Sequence, residues 1–199
     1  MRRIRTLALA AAAAVAMAGT AMAIDAGSQA AFLPVAGAAS APLGAAGICR
    51  DYDWACAGAT YAAPVGPEVL RVATVINRAA NTRIRPVSDM DQYATAERWS
   101  LPTKRGGDCE DYALFKKLEL IKAGVSPDRL LMAAVLDRQS NVHAVLVLRT
   151  AMGDYVLDNL TNRVLLWNQT GYVFLRMQDP AQPARWVGSY VKAGSGLSS

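Results

Sequence analysis

The apolar residues in the first half of the chain recur with helical spacing. After Pro67 and Glu68 they return every three or four positions as far as Ala80, which predicts a helix with one buried face that ends near Asn81. Proline suits the first turn of a helix, and glutamate suits the positive end of the helix dipole. The spacing and the starting residues therefore predict the same helix.

A second helix is predicted to begin at Cys109. Asp108 is a suitable N-cap, and the two glycines before it give the chain freedom to turn. Apolar residues then occupy one face as far as Ile121, charged residues occupy most of the opposite face, and Gly124 ends the helix. This places the Cys109 thiol in the first turn of a buried helix.

The apolar pattern changes to that of β-strands after Pro127. Short runs rich in β-branched and aromatic residues are separated by turns that contain glycine. Helices followed by a meander of strands predict an α+β domain, in which an antiparallel sheet packs on the helices. The predicted strands are 130–136, 142–148, 155–157, 164–167, 172–176 and 186–191. Before Cys109 we expect a short extended piece at 84–87 and a loop with one helical turn over 89–99.

The N-terminus has the composition of a signal peptide. Three arginines, an apolar stretch from Leu7 to Met17 and a small-residue site predict cleavage after Ala23 and export to the periplasm. An uncleaved membrane anchor is the alternative, but the apolar run is shorter than the ~20 residues that a span needs. The predicted divisions are a signal peptide (1–23), a flexible Ala/Gly-rich leader (24–47), a folded domain (48–193) and a disordered tail (194–199).

The charge balance gives no sign of a nucleic-acid partner. The full chain has 21 basic and 16 acidic residues, a formal net charge of +5, and loss of the three arginines in the predicted signal peptide lowers this to +2. The remaining basic residues are scattered along the sequence and do not form the cluster that a nucleic-acid-binding face needs. We expect a monomer that does not bind nucleic acid.

The three cysteines are Cys49, Cys56 and Cys109. In an oxidising compartment an odd number leaves one thiol over, and three pairings are available. A bond between Cys49 and Cys56 closes a short loop at low entropic cost, so this pairing is favoured. It leaves Cys109 as a free thiol in an exported protein.

Cys109, His143 and Asp158 are the candidate catalytic residues. A thiol attacks a carbonyl as its thiolate, which a helix N-terminus and a neighbouring imidazolium both stabilise, while a carboxylate orients the imidazole ring. His143 is the single histidine of the chain. A lone cysteine or histidine is more often structural, but the three residues together predict a thiol-dependent hydrolase.

The predicted strands place His143 and Asp158 at the same open end of a hairpin. Side-chain alternation puts both on one face of the sheet. A turn centred at 150–151 would set them directly opposite each other, whereas a turn at 152–153 would offset them by about four residues. The sequence leaves this register open.

Acidic residues surround the thiol in sequence. Asp108, Glu110 and Asp111 would raise its pKa unless a cation offsets their charge, and oxygen ligands favour Ca²⁺ over zinc. Alternatively, these acids cap the helix and pair with lysines or Arg105. Trp99 is a candidate oxyanion donor through its indole N–H, with a packed core tryptophan as the alternative.

Three blocks of the sequence resemble the bacterial transglutaminase-like cysteine proteinases. The similarity covers about 67–186 and implies a papain-like transglutaminase core with Cys109 as nucleophile, His143 as base and Asp158 as orienting acid. The blocks are Gly107-Asp108-Cys109-Glu110-Asp111-Tyr112-Ala113, Val142-His143-Ala144-Val145-Leu146 and Tyr155-Val156-Leu157-Asp158-Asn159.

The same resemblance implies a cofactor and partners. Characterised members of that family are calcium-dependent periplasmic proteases, which cut large surface adhesins and release biofilm cells. An inner-membrane receptor for cyclic di-GMP sequesters them. By resemblance, Asp108 and Glu110 bind calcium in this chain. Acyl transfer to an amine, or a catalytically silent binding module of the same fold, are the alternative functions.

Overall fold

A computed structural model describes residues 31–59 and 66–192 of the chain. The predicted signal peptide and the predicted tail lie outside the described residues. Within them, no helix combines the length and the apolar character needed to cross a membrane.

The described residues contain four α-helices, all of which lie before Pro127. Helix α2 begins at Pro67 as predicted and extends two residues beyond Asn81, and α4 begins at Cys109. The expected helical turn in the loop before Cys109 is the short helix α3. The helices are α1 (Ile48–Asp51), α2 (Pro67–Arg83), α3 (Asp89–Tyr93) and α4 (Cys109–Lys122).

Seven strands form one antiparallel sheet in the order β1-β7-β6-β2-β3-β4-β5. The six strands predicted after Pro127 are all present, although the fourth of them (164–167) is shorter than predicted and continues as a 3-10 turn at Trp167–Gln169. The α+β class with an antiparallel sheet is therefore confirmed. The strands are β1 (Ala38–Ala39), β2 (Leu130–Leu136), β3 (Val142–Thr150), β4 (Gly153–Leu157), β5 (Leu165–Leu166), β6 (Val173–Gln178) and β7 (Trp186–Lys192).

The central strands are buried on both faces of the sheet. On one face, Met132, Leu146 and Leu157 pack with the apolar sides of α2 and α4. On the other face, Val145 and Phe174 belong to a second apolar cluster. Burial on two faces explains why β2 and β3 are almost continuous apolar runs.

The segment 31–47 is part of the folded domain. Ala38 pairs with Val187 of β7, Leu33 is buried in the second apolar cluster, and the Leu33 N–H donates to Asp154. The predicted flexible leader is therefore wrong for these residues. The fold of this Ala- and Gly-rich segment could not be predicted from the sequence, because two paired residues and a few buried side chains are too few to create a periodic pattern.

The predicted disulfide between Cys49 and Cys56 is present, and Cys109 is a free thiol. The disulfide-closed loop is joined to the core by the fully buried ammonium group of Lys117. This group donates to the backbone oxygens of Ala55 and Leu130. The loop is therefore fixed against the start of the sheet.

Candidate active site

The glycines before Cys109 are required by close packing. Gly106 has a φ of 129°, and a Cβ there would lie 1.9 Å from the backbone oxygen of Arg85. A Cβ on Gly107 would lie 2.4 Å from the Asp111 carboxylate. Because both residues are glycines, the segment before α4 can lie directly against the Arg85 backbone and the Asp111 side chain. Helix α4 then begins with Cys109 as its first residue.

Asp108 occupies the N-cap position but does not cap the helix with its side chain. Its carboxylate accepts a hydrogen bond from the Asp89 N–H at 3.0 Å. The prediction is thus correct for the position and wrong for the contact. The side chain is turned away from the helix because α3 brings a competing backbone donor against it.

The half-buried thiol of Cys109 lies against both α4 and β3. Its Sγ donates to Glu110 Oε2 at 3.2 Å. Burial raises the pKa of the thiol, Glu110 raises it further, and the Ala144 N–H acts in the opposite direction. The contact with Ala144 places the thiol next to the residue that follows His143.

His143 and Asp158 form a buried hydrogen-bonded pair. The distance from Nε2 to Oδ1 is 2.8 Å. Burial alone would raise the pKa of Asp158, but the hydrogen bond and charge of His143, aided by the Leu160 N–H and the Tyr172 hydroxyl, lower it. Because an ionised carboxylate can only accept, the proton of the neutral ring is on Nε2, which leaves Nδ1 for the thiol.

The β3–β4 hairpin has a register that lies between the two considered from the sequence. Thr150 pairs with Gly153, so the turn is at 151–152. Asp158 is consequently diagonal to His143, and the two side chains meet on one face as the alternation predicts. The sequence could not decide this because one residue in the turn shifts the whole pairing.

Cys109 lies next to the residue that follows His143, since the Ala144 N–H contacts its thiol. Within the described part of the chain, no hydrogen bond joins Sγ to the imidazole, since Sγ donates to Glu110. The structure thus brings the three predicted residues to one end of the sheet. It also adds Tyr172, which the sequence did not single out because no local motif distinguishes it from other strand tyrosines.

Five carboxylates form an acid cluster beside the thiol. Oxygen atoms of Asp89, Glu97 and Glu110 lie within 4.8 Å of one another, as do those of Asp89, Asp108 and Asp111. Asp108 and Glu110 were predicted as ligands from the sequence. Asp89 and Glu97 were not, because they come from the loop over 89–99, which has no metal-binding spacing of its own.

The charges in the acid cluster are poorly compensated. Burial raises the pKa of Glu110 to about 9 and that of Asp111 to about 7, and Asp108 acts in the same direction. Burial and then Asp108 also raise the pKa of Asp89 and Glu97. Buried carboxylates that repel one another favour protonation or a bound cation.

The proposed alternative, in which basic residues neutralise these acids, is wrong. Arg105 donates to the backbone oxygens of Asp91 and Gln92. Among the described residues, no ion pair involves a member of the acid cluster. One buried carboxylate oxygen of each of three members has no hydrogen-bond donor in the described part of the chain; these members are Asp108, Glu110 and Asp111. Such oxygens suit a divalent cation with oxygen ligands.

Trp99 is buried, and its ring packs edge to face on that of Trp186, with an interplanar angle of 78° and a centroid distance of 5.8 Å. A side-chain hydrogen bond from Trp99 acts to lower the pKa of Glu97. This placement directs the indole to the acid cluster. It favours the packed core tryptophan over the oxyanion donor.

A thiol at a helix N-terminus, next to a histidine–aspartate pair on an antiparallel sheet, defines a papain-like cysteine hydrolase. A family model of bacterial transglutaminase-like cysteine proteinases, BTLCP, matches residues 35–192. The chain belongs to this family and is a cysteine peptidase. A search of curated protein sequences finds no match.

Solved structures similar to this chain include three of LapG from Legionella pneumophila, each 21% identical. The calcium-bound form has a TM-score of 0.51, and the match covers 64% of this chain and 72% of that one. An EGTA-treated form has a TM-score of 0.45 with coverages of 56% and 63%. A further structure has a TM-score of 0.46 with coverages of 56% and 65%. At this identity, the calcium-bound form supports the fold.

Proposed function

We propose that the protein is an exported endopeptidase that cleaves a peptide bond through Cys109, His143 and Asp158. The observation that carries this proposal is the buried His143–Asp158 hydrogen bond of 2.8 Å, beside a thiol at the start of α4. The bond occupies Nε2 and orients Nδ1 for proton transfer. A histidine–aspartate pair of this kind commonly activates a thiol as a nucleophile.

The proposed acylation step moves one proton and breaks one C–N bond. Nδ1 of His143 takes the proton from Cys109 as Sγ attacks the carbonyl carbon of the substrate. The N–H of Cys109 has no acceptor within its own helix, because it belongs to the first turn, and it donates to the developing oxyanion. His143 then protonates the leaving amine, and a thioester remains on Sγ.

Deacylation uses the same groups in reverse. Nδ1 of His143 takes a proton from water as the water oxygen attacks the thioester carbonyl. The C–S bond breaks, a carboxylic acid leaves, and the thiolate recovers the proton from His143. Asp158 holds the ring in one tautomer throughout and does not itself become protonated.

The acid cluster is the proposed calcium site. Asp89 is its central member, because it belongs to both groups of converging oxygens, and Asp108 and Glu110, one from each group, each have a buried oxygen with no donor among the described residues. A bound calcium ion supplies positive charge that offsets the cluster. Glu110 links the two sites, because its other oxygen accepts from the Cys109 thiol.

The catalytic proposal is tested by Cys109→Ala. The variant is expected to lose all cleavage of a protein substrate while its Tm and circular dichroism spectrum stay those of the wild type. Cleavage that persists in the variant would refute the role of Cys109. Mass spectrometry of the products with an added amine separates hydrolysis from acyl transfer, since transfer adds the mass of the amine.

The calcium proposal is tested by thermal unfolding with Ca²⁺ or EGTA. A ligand at about 100 times its Kd stabilises a protein by about 2.7 kcal/mol, so Ca²⁺ is expected to raise the Tm by several degrees. Asp89→Asn should abolish this rise. Asp91→Asn is the matched control, since Asp91 lies on the same short helix outside the acid cluster, and it should keep the rise. An equal Tm in Ca²⁺ and EGTA for the wild type would exclude the site.

The periplasm is the proposed location and a large surface adhesin the proposed substrate. The Cys49–Cys56 disulfide supports an oxidising compartment, and the family resemblance supports the adhesin and an inner-membrane receptor. Cells that carry Cys109→Ala are expected to retain full-length adhesin at the surface. Normal adhesin processing in those cells would exclude this substrate.

A further inference from the structure

Tyr172 contacts two of the three proposed catalytic residues. It is buried just before β6, and its hydroxyl donates to Asp158 Oδ2 at 2.5 Å. Its ring is perpendicular to the imidazole of His143, with an interplanar angle of 89° and a centroid distance of 6.0 Å. A single side chain thus meets the acid through a hydrogen bond and the base through an edge-to-face contact.

The hydroxyl of Tyr172 completes the partners of the Asp158 carboxylate. Oδ1 accepts from His143 Nε2 at 2.8 Å and from the Leu160 N–H at 3.0 Å. Oδ2 accepts from Tyr172. Donors on both oxygens fix the plane of the carboxylate. Without Tyr172, Oδ2 would be a buried charged oxygen with no donor, and the carboxylate would gain by rotating away from His143.

The position of Tyr172 is itself fixed by its neighbours. Its N–H donates to Thr170 Oγ1 at 3.2 Å, and that hydroxyl donates to the Trp167 backbone oxygen at 2.7 Å. Arg138 donates to the Thr170 backbone oxygen at 2.8 Å. The intervening Gly171 has a φ of 78°, which permits the tight turn. The phenol therefore reaches Asp158 from a rigid support.

We propose that Tyr172 is a positioning residue of the peptidase, which holds Asp158 and the His143 ring so that Nδ1 faces the Cys109 thiol. This inference rests on the proposed function. Tyr172 does not touch the reacting atoms. It acts through the orientation of the base, so its loss should slow the chemical step without weakening substrate binding.

Tyr172→Phe tests the proposal because it removes the hydroxyl and keeps the ring. The expected result is a fall in kcat of about tenfold with an unchanged KM, a part of the 10²–10⁴ that a positioned acid–base group supplies. Tyr112→Phe is the matched control. Tyr112 is also buried, and its hydroxyl donates to the Ile84 backbone oxygen at 2.5 Å. The control should keep its kcat.

The tautomer of His143 gives a second readout that needs no activity. Because the chain has one histidine, its ring signals in a ¹H–¹⁵N NMR spectrum are unambiguous. At a pH where the ring is neutral, we expect a single Nε2–H tautomer in the wild type and in Tyr112→Phe, and a tautomer mixture in Tyr172→Phe. This result would support the positioning role even if no substrate were cleaved.

Two outcomes would overturn the proposal. One is a Tyr172→Phe variant with the kcat and the tautomer of the wild type. The other is an equal loss of kcat in Tyr172→Phe and Tyr112→Phe, which would indicate loss of stability alone.

Thr170→Val is the second variant, in case Tyr172→Phe does not fold. It removes the hydroxyl that orients Tyr172 and should also lower kcat and mix the tautomers, and wild-type values in it would count against the proposal.

Discussion

Among the described residues, the buried amine of Lys116 has no hydrogen-bond partner. Its side chain is fully buried, and Nζ lies 5.6 Å from the centre of the Tyr112 ring. Burial lowers the pKa of Lys116 to about 7, although the charge of Asp158 acts in the opposite direction. A folded-state pKa below that of the unfolded chain means that this lysine destabilises the fold.

Lys116→Met is therefore expected to stabilise the protein at neutral pH. Below about pH 7, where the amine is charged in both the folded and the unfolded state, the buried Lys116 lowers the free energy of unfolding of the wild type by its full amount. Between about pH 7 and the unfolded pKa of about 10.4, the folded amine is neutral while the unfolded amine is still charged, so the advantage of methionine falls by about 1.4 kcal/mol per pH unit. Urea unfolding at several pH values measures this change.

Lys104→Met serves as the control for that series, because Lys104 is exposed and should give a difference that does not vary with pH. A constant advantage of Lys116→Met from neutral pH to pH 10 would contradict the assigned cause.

The residues with local sequence signals could be predicted. Cys109 follows a glycine turn and precedes a helical pattern, and the single histidine left one choice of base. Tyr172 and Asp89 could not be predicted, because their roles come from contacts across the fold with Asp158 and Asp108. The type of a residue gives its chemistry, whereas its partners depend on packing.

At the scale of elements, helix α2 supports the loop that carries Asp158. Nδ2 of Asn81 donates to the backbone oxygens of Asp158 and Thr161 at 2.9 and 3.0 Å. Nδ2 of Asn77, one turn earlier, donates to the same Thr161 oxygen at 2.9 Å. Two asparagines on one helix face thus fix the chain just after β4.

Asn81→Ala is expected to loosen this loop and to lower kcat/KM by about tenfold, because small displacements of a catalytic group are costly. Thr82→Ala, at the neighbouring and exposed position, removes a hydroxyl that donates to the Arg78 backbone oxygen of its own helix. It should leave kcat/KM unchanged. Steady-state kinetics of both variants measure this difference. Equal kcat/KM values in Asn81→Ala and Thr82→Ala would exclude a role for the Asn81 contacts.

The elements themselves followed from hydrophobic spacing, and their register did not. The starts of α2 and α4 and the longer strands after Pro127, which exclude the two-residue β5, have apolar patterns of adequate length. The hairpin turn at 151–152 depends on local turn geometry around Gly153, whose φ is 137°. A two-residue strand such as β1 has no pattern to detect, so the boundary of the domain was misplaced.

At the scale of the whole molecule, the candidate site is assembled from segments far apart in the chain. The thiol comes from α4, the base from β3, the acid from the loop after β4, and the acid cluster adds the segment around α3. These segments converge at one end of the sheet. Sequence spacing cannot show such convergence, and the three proposed catalytic residues were predicted from their chemistry and from the family blocks.

We expect the fold to make Cys109 a nucleophile through His143. Since Cys49 and Cys56 are joined, Cys109 is the single free cysteine, and a covalent label can be assigned without ambiguity. The most direct measurement is the rate at which a peptide with an electrophilic ketone modifies Cys109, followed by mass spectrometry with and without Ca²⁺. Rapid modification of the native protein and its loss in His143→Ala, with the fold retained, are the predicted results. Equal rates in the native protein and in His143→Ala would contradict the account.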